Sequence, residues 1–343
     1  YVTGRGGTQG SSNGFILLKY NSSGSLQWVI RDSAVYSGIR IKIKNNDEIY
    51  TLGVIQSGNI NDLVTAKYNS AGVLLWKNVL DGTQNYQNAP LSLILDNFGN
   101  VIVSGSRGSP QNYDFLTAKY SSSGSLLWSV TFNSTESAID IASDAAADIS
   151  GNIYVTGYCT ESDNKNFMTL KYDPAGTLIW SRYFNGDANF DDIARSVKID
   201  LHGNIYVTGN SGGLTTMDDY RTIKYNSSGD VLWSKSDNGD AGLIDIPVSM
   251  VIDNNDNVII TGQSMGNGAY IDFATVKYNS SGSQFWVERF TGTTNAPDIP
   301  VSMIIDDFDD IYVTGKLGSE SVTIKYNGTG NLKWTQLFGE GNN

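Results

Sequence analysis

The chain has 343 residues, of which 40% are hydrophobic and 11% aromatic, enough to pack a core, while 37 Gly and only six Pro point to many turns rather than to disorder. A net charge of −12 argues against nucleic acid and anionic membrane as partners, because both need clustered Lys or Arg to displace counterions. No apolar stretch reaches the roughly 18–20 residues that span a bilayer, and Cys159 is the only cysteine, so an intrachain disulfide is excluded.

In chain order, Tyr1 to Gly4 matches the end of the later segment Ile311 to Gly315, so the sequence opens inside a strand. Next comes a Lys-Tyr pair, a polar turn ending in Gly, and a Trp four residues after that Gly. The phrase recurs seven times and ends at Trp28, Trp76, Trp128, Trp180, Trp233, Trp286 and Trp334, spaced 48, 52, 52, 53, 53 and 48 residues apart. A period of this size marks a repeat unit that cannot bury its own apolar faces. The copy from Asp245 to Gly292 predicts four strands, a to d, over Pro247 to Asp253, Val258 to Gly262, Phe273 to Tyr278 and Gln284 to Phe290. Six a strands are legible, near Ile39, Leu91, Ile141, Ala194, Val248 and Val301, against seven each of b, c and d. The absent a strand is expected before Tyr1 or after Asn343, in a longer parent protein.

Four antiparallel strands per unit predict an all-β protein, a single seven-bladed β-propeller, with strand a innermost and d outermost. Blades are expected near 1–33, 34–82, 83–134, 135–186, 187–239, 240–292 and 293–343. The first blade departs most, with Arg40, Lys42 and Lys44 in strand a. Tight a-to-b and c-to-d turns, rich in Asp, Asn and Gly, fall on one face of the disc. The irregular b-to-c and d-to-a joints, such as Arg5 to Gly14, Tyr158 to Asn166 and Thr291 to Pro297, fall on the other, where binding would evolve.

The segments Gly-Asn-Ile-Tyr-Val-Thr-Gly at 151–157 and 203–209, Asp-Phe-Ala-Thr-Val-Lys-Tyr at 272–278 and Asn-Ser-Ser-Gly-Ser-Xaa-Xaa-Trp at 279–286 resemble the SBBP (seven-bladed β-propeller) repeats. The resemblance runs over essentially the whole chain. It implies a module of large bacterial secreted or surface proteins, extracellular and beside other domains, with no shared catalytic residues.

Residues present in every copy read first as architecture. The tryptophans are expected as plates between outer strands. Lysines at the end of strand c, among them Lys67, Lys119 and Lys277, are expected to pack their stems between blades with heads at the rim. The Asp ending strand a (Asp96, Asp148, Asp200, Asp253, Asp306) should lie two strand spacings from the Lys of its own blade, roughly 10 Å, so that pairing would cross between blades. At the start of strand a, Asp140, Asp192, Asp245 and Asp298, with Asn88 in the same place, are expected to ring the mouth of a central channel. There they either hold a ligand or a cation such as Ca²⁺ through oxygen atoms, or cap their own loops.

His202, the only histidine, sits in a tight turn, which excludes His-based triads and zinc sites. The sequons at Asn21, Asn226, Asn279 and Asn327 fall in the recurring turn, where Asn already serves the backbone, and one more begins at Asn133. The expected function is a non-enzymatic extracellular interaction or scaffold module that binds a protein or glycan on the irregular loop face. No cofactor, no nucleic acid and no membrane insertion are expected. The alternative is a carbohydrate-active hydrolase or lyase using carboxylates at the channel mouth.

Overall fold

A computed structural model describes residues 1–6, 14–44, 47–57, 60–80, 87–109, 111–134, 138–161, 163–186, 190–239, 241–266, 270–292 and 296–339, without the side chains of 57 and 60. Parts of the irregular joints named above (7–13, 162 and 293–295) and the end of the chain (340–343) lie outside the described residues.

Among the described residues, 27 strands form seven antiparallel sheets and there is no helix, hence none long and apolar enough to cross a membrane. The first sheet is β1 (Val2–Gly6), β2 (Gly14–Tyr20) and β3 (Leu26–Asp32). The second is β4 (Ser37–Ile43), β5 (Ile49–Ser57), β6 (Ile60–Tyr68) and β7 (Leu74–Leu80). The third is β8 (Gln87–Leu95), β9 (Val101–Ser109), β10 (Asn112–Tyr120) and β11 (Leu126–Phe132). The fourth is β12 (Asp140–Ala147), β13 (Ile153–Glu161), β14 (Asn164–Tyr172) and β15 (Leu178–Phe184). The fifth is β16 (Asp192–Ile199), β17 (Ile205–Gly212), β18 (Asp218–Tyr225) and β19 (Val231–Asp237). The sixth is β20 (Asp245–Ile252), β21 (Val258–Met265), β22 (Ile271–Tyr278) and β23 (Gln284–Phe290). The seventh is β24 (Asp298–Ile305), β25 (Ile311–Leu317), β26 (Glu320–Tyr326) and β27 (Leu332–Phe338). This is a β-propeller of seven blades, the first lacking its a strand as the sequence predicts.

In the sixth sheet three of the four strands extend two or three residues beyond one predicted end, and β23 keeps its predicted bounds. In the sixth sheet the a strand starts at Asp245 and the b strand reaches Met265, because pairing resumes beyond a bulge at Pro247/Ser249. Opposite that bulge stands Gly262, and a Cβ there would run into the backbone carbonyl of Ile246. Gly53, Gly105, Gly209 and Gly315 meet the same obstacle, so the recurrent Gly ending the b-strand motif is demanded by close backbone approach.

The tight turns work as expected. Asp96 Oδ1 accepts from the backbone N–H groups of Phe98 and Asn100 at 2.9 and 2.8 Å, and Asn279 Oδ1 does the same for Ser281 and Ser283. Gly99 and Gly282 complete these turns at φ 78° and 84°.

The chain divides into two compact units, and the division runs through the fourth sheet rather than at a linker. In the first unit (Tyr1–Val155, Cys159–Glu161, Leu170–Ile179), β1 packs on β4, β4 on β8 and β8 on β12. Its core lies between sheets: Tyr50, Leu52 and Leu63 of the second pack against Leu93, Val103 and Leu116 of the third. In the second unit (Thr156–Tyr158, Ser162–Thr169, Trp180–Asn343), β16 packs on β20 and β20 on β24. Tyr206 and Tyr220 of the fifth sheet there meet Met250, Ile260 and Val276 of the sixth.

Between neighbouring sheets runs a repeated clasp. The Trp28 indole N–H donates to the Ser70 carbonyl oxygen at 3.3 Å, and Trp76, Trp128, Trp180, Trp233 and Trp286 do likewise to the c-to-d turn of the following sheet. The turn glycine lies against the preceding ring: Gly124 on Trp76, Gly176 on Trp128, Gly282 on Trp233 and Gly330 on Trp286. Trp334, in the seventh sheet, is 43% exposed and packs on Tyr312. Replacement of Gly262 by Ala is expected to cost roughly 3 kcal/mol in urea unfolding, whereas Gly24→Ala, where a Cβ meets only open space, is expected to cost under about 1 kcal/mol, all of it from φ 78°.

Candidate functional site

The recurrent lysine is the other half of the clasp. Lys19 and Trp28 both donate to Ser70 O, Lys67 and Trp76 to Ser122 O, Lys224 and Trp233 to Ser280 O, and Lys277 and Trp286 to Gly328 O. Lys67, Lys119, Lys224 and Lys277 are buried, so the expected placement of their heads at the rim is corrected.

The expected separation from the turn aspartate is corrected too. Lys119 Nζ lies 3.0 Å from Asp96 Oδ2 and Lys277 Nζ 2.7 Å from Asp253 Oδ2, each pair within one sheet. The carboxylate sits in the turn beyond strand a, and the four-carbon lysine stem reaches over strand b to meet it. A strand-b tyrosine joins them in several sheets: Tyr206 OH donates to Asp200 at 3.3 Å and Tyr312 OH to Asp306 at 3.0 Å. Burial pushes the Asp253 carboxyl up, yet Lys277, Asn257 and two backbone N–H groups hold it below its ordinary value. These groups are architectural.

The carboxylates at the start of strand a are buried. Asp140 accepts from the N–H and hydroxyl of Ser134, both at 2.7 Å. Asp192 accepts from Gly186 N and Asp298 from Gly292 N, both at 2.6 Å, and Asn88 donates to Leu80 O at 2.8 Å. Each of these ties down the joint that precedes its strand. Asp245 differs, because among the described residues neither of its oxygens has a hydrogen-bond partner in good geometry, and burial raises its carboxyl to about 6 against the weaker pull of the nearby Ser264 hydroxyl and Arg289.

Among the described residues, Asp200, His202 and Asp256 bring candidate metal-ligand atoms within 4.8 Å of one another. Their oxygens already serve donors: His202 Nδ1 is 2.7 Å from Asp256 Oδ2, and Asp200 accepts from two backbone N–H groups, Asn204 and Tyr206. The side-chain oxygens of Asn21, Asn226, Asn279 and Asn327 cap their own turns. Cys159 is buried, and its thiol is pushed up to about 12 by burial first and by the charge of Asp140 next.

The irregular joints of the second unit build a different kind of feature, a cleft of about 520 Å³ lined by Asn164, Phe190, Asp191, Met217, Asp218 and Ile244, with Gly212 and Thr216. These positions belong to the b-to-c and d-to-a joints of the fourth, fifth and sixth sheets. Phe190 and Met217 are about half exposed, and Leu214 beside Met217's loop is 76% exposed. Gly212 makes room for the phenylalanine, since a Cβ there would run into Phe190 Cβ. Gly213 N donates to Met217 O at 2.9 Å and the Thr216 hydroxyl to Asp219 Oδ2 at 2.8 Å, which fixes the hairpin tip. Asp191 is held on both oxygens by Lys165, from the backbone N–H at 3.0 Å and from Nζ at 2.6 Å.

Recurrence does not point to these residues: the positions matching Phe190-Asp191 are Ala138-Ile139, Leu243-Ile244 and Ala296-Pro297 in other sheets. Only that departure from the repeat signals them.

The profile of the SBBP family, described as a beta-propeller repeat, matches residues 179–214. No curated protein matches the sequence. Among solved structures the chain is similar to a protein from Lactobacillus plantarum at 12% identity, covering 84% of this chain and 81% of that one with a TM-score of 0.55. The polysaccharide lyase Uly1 is similar at 11% identity over 89% and 82% with a TM-score of 0.55, and a eukaryotic initiation factor at 10% over 95% and 85% with 0.51. At such identities the likeness is one of fold.

Asp245→Asn tests the buried acid. The folded value lies above the ordinary 3.8, so the contribution of Asp245 is full below about pH 4 and is lost as pH rises through about 6. The variant is expected to raise Tm by about 2–4 °C at pH 8 and to leave it unchanged at pH 4. In denaturant unfolding, Asp96→Ala is expected to cost about 3–5 kcal/mol because Lys119 is left buried and unpaired, and adding Lys119→Met to recover a large part. Residues 179–214 match the SBBP beta-propeller repeat, and the fold of the chain is that of the β-propellers.

Proposed function

We propose that this propeller is a non-enzymatic binding and scaffold module of a larger bacterial surface or secreted protein, taking its partner on the b-to-c and d-to-a loops. The observation that carries the reading is the cleft at Phe190. It is the place where several irregular joints converge and where the lining residues break the repeat. Repeated residues serve the sheets; residues that differ are free to select. The extracellular setting and the neighbouring domains rest on the resemblance to SBBP repeats.

The polysaccharide lyases that share the fold suggest the alternative of a carbohydrate-active enzyme. The chemistry of the cleft speaks against it. Asp191 is held on both oxygens by Lys165, and His202 lies in a turn at the opposite end of the fifth sheet's strands. Neither is poised to move a proton at Phe190.

Incubation with soluble polysaccharides is expected to yield neither new reducing ends nor unsaturated products by ultraviolet absorbance, and release of either contradicts the reading. EDTA is expected to leave Tm unchanged, since the turn carboxylates already have Lys, Asn and backbone donors; a fall of several degrees would show a resident cation.

A further inference from the structure

We infer that the cleft at Phe190 is a saccharide subsite for an uncharged glycan, with the phenylalanine ring as the platform for a sugar face and Asp218 and Asn164 as partners for its hydroxyl groups. This rests on reading the cleft as the module's binding site. Its volume of about 520 Å³ falls in the range of small-ligand pockets, roughly 300–1,000 Å³. Its lining mixes the apolar side chains of Phe190, Met217 and Ile244 with the polar ones of Asn164, Asp191, Thr216 and Asp218, and such a mixture can take one face of a small ligand on the ring while polar groups orient it.

Charge selects among ligands. Asp191 is neutralised by Lys165 at 2.6 Å, and the charge of Asp218 acts on the partly buried guanidinium of Arg195, whose Nε donates to Asn210 at 2.8 Å. Asp191 therefore has a cation beside it, which lessens the pull of the cleft on an ammonium group. An anionic sugar would meet the field of a protein of net charge −12. What remains favourable is a neutral polyhydroxylated ligand, whose O–H groups donate to carboxylate and amide oxygens while its C–H face covers the ring.

The site is also prepared before any ligand arrives. Gly212 seats Phe190, the Thr216–Asp219 bond holds the loop that carries Met217, and Lys165 locks Asp191, so binding would order few side chains.

Affinity gel electrophoresis with mannan, xyloglucan and mixed-linkage β-glucan, and with polygalacturonate as the charged counterpart, tests the assignment. At least one neutral polymer is expected to retard the protein and polygalacturonate is not. Phe190→Ala, at an exposed position, is expected to weaken retardation about tenfold with Tm unchanged, and Phe190→Trp to preserve it. Equal retardation of the wild type and Phe190→Ala overturns the subsite and leaves a binding module. Retardation by polygalacturonate alone, or by no polymer while a protein partner binds the same loops, overturns the saccharide assignment and again spares the broader reading.

Discussion

One carbonyl oxygen in a c-to-d turn receives both long donors of the sheet before it, an indole N–H and a lysine ammonium. The rest of the structure depends on that contact, because a four-stranded sheet with two apolar faces is not stable alone. The Lys-Tyr pair, the Asn-Ser-Ser-Gly turn and the Trp are the two halves of this joint written on one hairpin. The hairpin presents donors to the sheet that follows and a glycine and a carbonyl to the sheet that precedes. The register supports it, since Lys and Trp stand directly opposite each other in neighbouring strands, with a bulge just beyond. At Gly124, Gly176, Gly282 and Gly330 a glycine is required both for its positive φ and because an indole ring lies where a Cβ would be.

A second layer secures several sheets internally. In the fifth sheet Asp200 collects backbone N–H groups, an Asn amide, the Tyr206 hydroxyl and Lys224, so the buried lysine has a counterion. Lys67, Lys224 and Lys277 thus belong to two networks at once, holding their own sheet's turn and reaching the next sheet.

Most of this was legible in the sequence because the repeat samples the same physics seven times. Strand order, the tight turns and the absent a strand follow from recurrence, and the caps from the types of residue in the turns. The Lys–Asp distance was misjudged because strand spacing measures backbone separation, while a lysine stem and a carboxylate beyond the strand's end close most of that gap. The buried state of Asp140, Asp192, Asp245 and Asp298 was not legible either, since it depends on how the preceding joint folds over each side chain. The Phe190 cleft escaped for the opposite reason: no period marks it. Loop irregularity showed which face could differ, but how joints of three sheets converge is fixed only by their packing.

Division of labour between repeated and unrepeated residues is the central claim, and its most direct measurement is denaturant unfolding of a variant with one clasp removed, Lys224→Met with Trp233→Phe. The double variant is expected to lose several kcal/mol, more than the two polar contacts alone contribute, because Asp200 is left buried without its cation. Stability within about 0.5 kcal/mol of the wild type would contradict it.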